Sequence, residues 1–161
     1  MKFTKISLFS ILLFISCNKA ETLSLPAFFS DNMVLQRNAT VQFWGTSEPN
    51  NEVSISTPWG THKGKADVSG KWQIGFSTPN KNPSFGIDVC ANSQCITIKN
   101  IVLGEVWLAS GQSNMEMDLR GYPPSEPIIN SANEIAAAEN YELRFFYVER
   151  DVSLYPLNDV R

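Results

Sequence analysis

Histidine is nearly absent: one residue, His62, stands in a chain of 161. Cysteine is scarce as well, with three residues at positions 17, 90 and 95. A zinc site needs three or four ligands, and this inventory supplies no convincing set, so metal chemistry is not expected. There is no run of lysine or arginine, hence no surface to neutralise the phosphates of a nucleic acid. No hydrophobic stretch approaches the roughly 20 residues that cross a bilayer, the longest being ten residues from Ile6 to Ile15. Internal repeats and low-complexity tracts are missing too. What remains is the composition of a globular protein, 43% hydrophobic and 18% charged, with a net charge of −3.

The ten apolar residues follow Lys2 and Lys5, which is the layout of an export signal. Phe14-Ile15-Ser16-Cys17 then resembles a bacterial lipobox, in which Cys17 carries the lipid and becomes the new N-terminus. A plain secretory signal with an incidental Cys17 is the competing reading. Either way the protein is exported, and the lipobox reading anchors it to a membrane in the periplasm or at the cell surface. Loss of the two lysines leaves 11 basic residues against 16 acidic ones, a charge of −5. Residues 1–16 are thus read as the signal and 17–24 as a polar tether.

From 25 to 100 the chain reads as strands. Val41 and Phe43, Val53 and Ile55, Trp72, Ile74 and Phe76, then Phe85, Ile87 and Val89 each alternate with polar neighbours. Turn signals separate them at Glu48-Pro49-Asn50-Asn51, Val68-Ser69-Gly70-Lys71 and Pro79 to Pro83. Short strands at this spacing predict an all-β sandwich. Cys90 and Cys95 flank Ala91-Asn92-Ser93-Gln94. A hairpin that opposes the two cysteines also pairs Val89 with Ile96 and Ile87 with Ile98, so one register buries the apolar residues and joins the thiols. A Cys90–Cys95 disulfide is predicted, and an exported protein permits it.

The pattern changes after Asn100. Ile101 to Ala109 is nearly continuous apolar sequence and predicts a strand buried on both faces of a parallel sheet. A loop with Pro123, Pro124 and Pro127 follows. Ile128, Ala132, Ile135 and Ala136 have helical spacing, with Ser131 and Glu134 as a capping box that would start the regular helix at Ala132. Leu143 to Val148 reads as a second buried strand. Strand, turn, helix and strand open an α/β domain over 101–161 that these residues do not complete, so the chain reads as truncated.

Ser113 stands where the first apolar run gives way to Gly111-Gln112-Ser113-Asn114. A serine on a tight turn at the end of a buried strand projects its hydroxyl into the crevice where such folds bind ligands. If a helix begins there, the Ser113 N–H faces the same space and can stabilise an oxyanion. On spacing alone, a serine that merely caps a helix is the favoured account of the residue. The segment is not the G-x-S-x-G elbow of α/β-hydrolases, because Met115 stands where that motif has glycine. Gln112 and Asn114 would contact substrate or support the turn.

Gly104-Glu105-Val106-Trp107-Leu108-Ala109-Ser110-Gly111-Gln112-Ser113-Asn114-Met115-Glu116 resembles the signature of the sialate O-acetylesterase family of SGNH hydrolases. Phe29-Ser30-Asp31-Asn32-Met33-Val34-Leu35-Gln36-Arg37 is similar to the segment that opens the family's β-domain, and Gly70-Lys71-Trp72 also resembles it. The resemblance runs from about Leu25 to the C-terminus. It implies a β-sandwich joined to a flavodoxin-like α/β domain and hydrolysis of acetyl esters on sugars, without a cofactor. Ser113 matches the family's nucleophile, and its N–H matches one oxyanion donor. The remaining oxyanion donors and the triad Asp and His belong to later family blocks that this chain does not show. A serine without a base is a weak nucleophile, so the chain alone is expected to be inactive. The rival function is a non-catalytic glycan-binding or adhesive surface lipoprotein. For that role, Trp59 is the candidate sugar platform, with Trp44 and Trp72 read as core.

Overall fold

The computed structural model describes residues 22–81, 83–140, 142–149, 151–157 and 159–160. The export signal and Cys17 lie outside the described residues, as do residues 17–21 of the expected tether. Beyond them the chain is already part of the fold. Leu23 is buried, and Ser24 pairs antiparallel with Thr46.

The four period-2 segments all become strands, and three further segments join them. In chain order these are β1 (Val34–Gln36), β2 (Thr40–Thr46), β3 (Glu52–Thr57), β4 (Gly60–Lys65), β5 (Lys71–Ser77), β6 (Phe85–Ala91) and β7 (Gln94–Gly104). Five of them hydrogen-bond in the order β1-β7-β6-β3-β4, and β2 pairs with β5 as a separate ribbon. The turns carry the residues that left-handed backbone favours, with Asn50 at φ 62°, Gly70 at φ 80° and Asn92 at φ 52°. β6 and β7 form the expected hairpin. Val89 opposes Ile96, Ile87 opposes Ile98, and Cys90 is disulfide-bonded to Cys95. The turn is tighter than read from sequence, since Ala91 and Gln94 also pair.

The expected sandwich followed by an α/β domain is not what forms. The chain is mainly β, and the sheets curl into a half-barrel around one core. Phe43, Ile74 and Phe76 from the ribbon share that core with Val53, Ile55, Ile87, Val89, Ile98 and Ile101 from the larger sheet. The curl passes through β4 and β5. Gly64 of β4 approaches β5 so closely that a Cβ there would meet Ile74 Cγ1 at 2.6 Å. A bare backbone at that position lets the ribbon continue the sheet's curvature instead of stacking opposite it.

Gly45 marks a second close approach. A Cβ on it would stand 2.1 Å from the Ser24 carbonyl oxygen and 2.7 Å from Trp72 Cζ2. Backbone on one side and a buried indole on the other leave little room to relax. Gly45→Ala should therefore destabilise the fold by about 1–3 kcal/mol, as overpacking does. Urea denaturation measures this, and a midpoint equal to that of the unaltered protein would contradict the packing described.

The C-terminal third departs furthest from the sequence reading. Of the apolar run 101–109, only the first four residues are strand, as the end of β7, while Trp107 is 87% exposed and Leu108 94%. Leu143 to Val148 forms no strand, and its aromatic residues are exposed. Among the described residues, the one parallel ladder joins β7 to β1, not to a second α/β strand. Among the described residues two helices occur, α1 (Ser113–Glu116) and α2 (Ser131–Ala137), and neither buries a residue. Asn130, in left-handed backbone, precedes α2, so the Ser131–Glu134 capping box does not form. Asn130 Nδ2 instead donates to Glu134 Oε1 at 3.1 Å. The proline loop contains a two-residue hairpin, β8 (Gly121–Tyr122) with β9 (Glu126–Pro127).

Candidate active site

The parallel ladder between β1 and β7 places the ends of two sequence motifs side by side, with Gln36 opposite Gly104. From that point the segment leading to Ser113 is fastened by side chains. Gln36 Nε2 donates to Glu105 Oε2 at 2.8 Å, and Arg37 Nε donates to Glu105 Oε1 at 2.8 Å. Gln36 Oε1 in turn accepts the Val106 N–H at 2.8 Å, and Gly104 O accepts the Arg37 N–H at 3.0 Å. One glutamine thus grips both side chain and backbone of the following strand exit.

The two donors favour the ionised carboxylate of Glu105. Gln36 first and Arg37 second hold its pKa below the ordinary value of 4.5. A carboxyl depressed in the folded state stabilises that state above its unfolded pKa and loses the contribution as pH falls through the folded one. Melting temperatures of the protein and its Glu105→Gln variant should differ at pH 6 and converge towards pH 3. A gap that stays constant across that range would show that the ionised carboxylate plays no part.

Residues 105–111 leave the sheet without regular structure, and α1 begins at Ser113. The position before the helix is held by Gln112 (φ −102°, ψ −150°), whose backbone carbonyl accepts the Met115 N–H at 2.9 Å. Its side chain makes no capping bond. Ser113 is the first helical residue and not the cap, so the helix-capping account of this serine does not describe it. Its side chain is exposed, and its hydroxyl has no hydrogen bond among the described residues. The Ser113 N–H belongs to a first turn, where amide protons have no intrahelical acceptor. Gly111 and Asn114 are exposed beside it. Gly111 does not use left-handed backbone, and a Cβ there would touch Met115 Cβ at 3.3 Å.

His62 is taken up elsewhere. It lies on β4, half-buried, with its ring stacked on Phe76 at 4.6 Å between centroids and 11° between planes. Being the chain's one histidine, it leaves the motif segment without an imidazole base. Asp118 accepts from the Arg120 N–H at 2.8 Å and organises its own turn. No group of three or more His, Cys, Asp or Glu that could hold a metal ion occurs among the described residues.

A second fastening joins the C-terminal segment to the first motif. Arg144 Nη1 donates to the carbonyl oxygens of Asn32 at 2.9 Å and Asn100 at 2.6 Å. Both asparagines have left-handed backbone, φ 68° and 55°. Sequence reasoning gave no individual role to Gln36, Arg37, Glu105 or Arg144. The pairing of an acid in one motif with a Gln-Arg in the other was the available signal.

The tryptophans also sort differently. Trp59 is half-buried, in contact with Phe76 and Phe85, whereas Trp44 is 40% exposed. Trp72 is buried, as read from sequence.

No family model matches the chain, and neither does any curated protein. Among solved structures, it is similar to a carbohydrate acetylesterase from Xanthomonas citri, at 28% sequence identity and a TM-score of 0.74. The match covers 87% of this chain and 31% of that one, so the chain spans about a third of the length of the enzyme it resembles. The likeness supports a coarse structural relationship to a carbohydrate esterase.

Proposed function

We propose that this chain is part of a carbohydrate O-acetylesterase of the sialate O-acetylesterase kind, with Ser113 as its nucleophile. The observation that carries the reading is the likeness to a carbohydrate acetylesterase at 28% identity, joined to an exposed serine at the first position of α1. In this role the Ser113 oxygen attacks the acetyl carbonyl carbon while a base takes its proton. The tetrahedral oxyanion accepts the Ser113 N–H. The sugar oxygen leaves with a proton from the conjugate acid, and water then releases acetate from the acyl-serine. Gly111, Gln112 and Asn114 line this bend as turn or substrate-contacting residues. The half-barrel, through the end of β7 at Gly104, supplies the β-domain, and the catalytic segment follows it. The base is an acid–histidine pair outside this chain, because His62 serves β4–β5 packing. Export, with a lipid on Cys17, would bring the enzyme to glycans outside the cytoplasm.

Acetate release by the gene's complete product, tested on O-acetylated sialic acid and on acetylated plant polysaccharides, examines this reading. Release from either class, lost on Ser113→Ala, is the expected result. Carbohydrate binding without release from any acetylated sugar would overturn it in favour of a binding module.

A further inference from the structure

The half-barrel carries a second feature suited to carbohydrate, away from the Ser113 bend. Where β2 ends and β5 begins, a groove of about 750 Å³ opens between that ribbon end and the Ser24–Pro26 segment. The volume is in the usual range for small-molecule sites. On the ribbon's outer face Trp44 pairs across strands with Gln73. The Trp44 ring is braced by Phe28 at 5.1 Å and by Phe29 edge-on at 5.1 Å, yet remains 40% exposed. Held on one side and open on the other, it presents a flat apolar face without further ordering.

The polar lining completes the pattern. Lys65 and Lys71 line the groove together with Asp67 and Asp159, two cations with two anions, so the walls carry no formal net charge. Asp159 is fixed by the Ala27 N–H at 2.9 and 3.0 Å, and Asp67 by the Ser69 and Lys71 N–H groups. Trp72, paired with Gly45, is 3% exposed and belongs to the opposite, core face of the ribbon, so the groove's open side is set by the outward residues.

We propose that this groove binds a neutral sugar ring of an oligosaccharide, stacked on Trp44 and hydrogen-bonded by Gln73 and Lys71. A pyranose has the matching chemistry, an apolar C–H face and a rim of hydroxyls. A phosphate or acidic sugar would call for a net positive wall, and an apolar peptide for a wall without this polar rim. The groove stands on its own residues and does not depend on Ser113 being a nucleophile.

The test titrates the whole chain with cellohexaose, xylohexaose and mannohexaose, following tryptophan fluorescence. Saturable binding of at least one is expected. Trp44→Ala should raise Kd about tenfold or more, and Gln73→Ala about threefold, as loss of a stacked anchor and of one rim contact does. Trp107→Ala should leave Kd unchanged, because Trp107 is exposed but outside the groove. If Trp44→Ala fails to fold by circular dichroism, Gln73→Ala on the exposed face decides. Absence of binding to all three sugars, binding indifferent to the groove substitutions, or binding lost with Trp107 would each overturn the proposal. Esterase activity does not enter any of these readouts.

Discussion

In the gene's complete product, the proposed role of Ser113 predicts that Ser113→Ala lowers kcat for acetyl release by about 10³-fold or more, with KM little changed. The reasoning is local. The substitution removes one oxygen from an exposed side chain whose hydroxyl has no hydrogen bond among the described residues, and Gln112, not Ser113, precedes the helix. Nothing in the packing depends on that oxygen, so the urea midpoint should stay within the range of an ordinary surface change, about 0.5 kcal/mol. A merely structural serine would give the reverse, a loss of stability with turnover largely preserved. The two measurements on one variant therefore separate the roles.

Phe43→Ala should destabilise the fold by about 3–5 kcal/mol, the usual penalty for emptying a buried aromatic site. Phe43 is 0% exposed. It stacks on Phe29 at 4.3 Å and 17°, and contacts Phe76 at 5.3 Å. It therefore ties the N-terminal segment, β2 and β5 to one another. Against a total stability of about 5–15 kcal/mol, such a loss leaves a large unfolded fraction near physiological temperature. Val68→Ala, at a position 85% exposed, serves as the control and should shift the midpoint little. If the β2–β5 ribbon were a separate layer loosely attached to the larger sheet, Phe43→Ala would behave like that control.

Much of the β architecture is legible in alternation. β2, β3, β5 and β6 follow from apolar residues two apart, and the Cys90–Cys95 hairpin follows from one register satisfying both core and thiols. β4 is not legible, because Gly60-Thr-His-Lys-Gly-Lys has no alternating apolar face. It is a strand by virtue of the ladder with β3 and the close approach of β5 at Gly64. The half-barrel curvature is a property of those tertiary contacts and has no single-residue signature. The apolar runs at 101–109 and 143–148 misled for a related reason. Continuous hydrophobicity identifies a buried strand only where partner strands exist, and beyond Gly104 these segments have none among the described residues.

The bend carrying Ser113 was legible from Gly111, Gln112 and Ser113 at the end of an apolar run. The apparatus that fixes the approach to it was not. Gln36 and Arg37 reach Glu105 across 69 and 68 residues of sequence, and Arg144 reaches Asn32 across 112. Contacts of that separation follow from the parallel pairing of β1 with β7, which local pattern does not reveal. Their consequence is that the two motifs resembling an esterase act as one unit, the first anchoring the second.

The central assignment is a covalent one, and the bond itself can be observed. Treatment of the gene's complete product with a fluorophosphonate ester, followed by digestion and tandem mass spectrometry, should place a single phosphonyl adduct on Ser113 with parallel loss of acetyl release. Inactivation accompanied by an adduct on another residue, with Ser113 unmodified, would contradict the account.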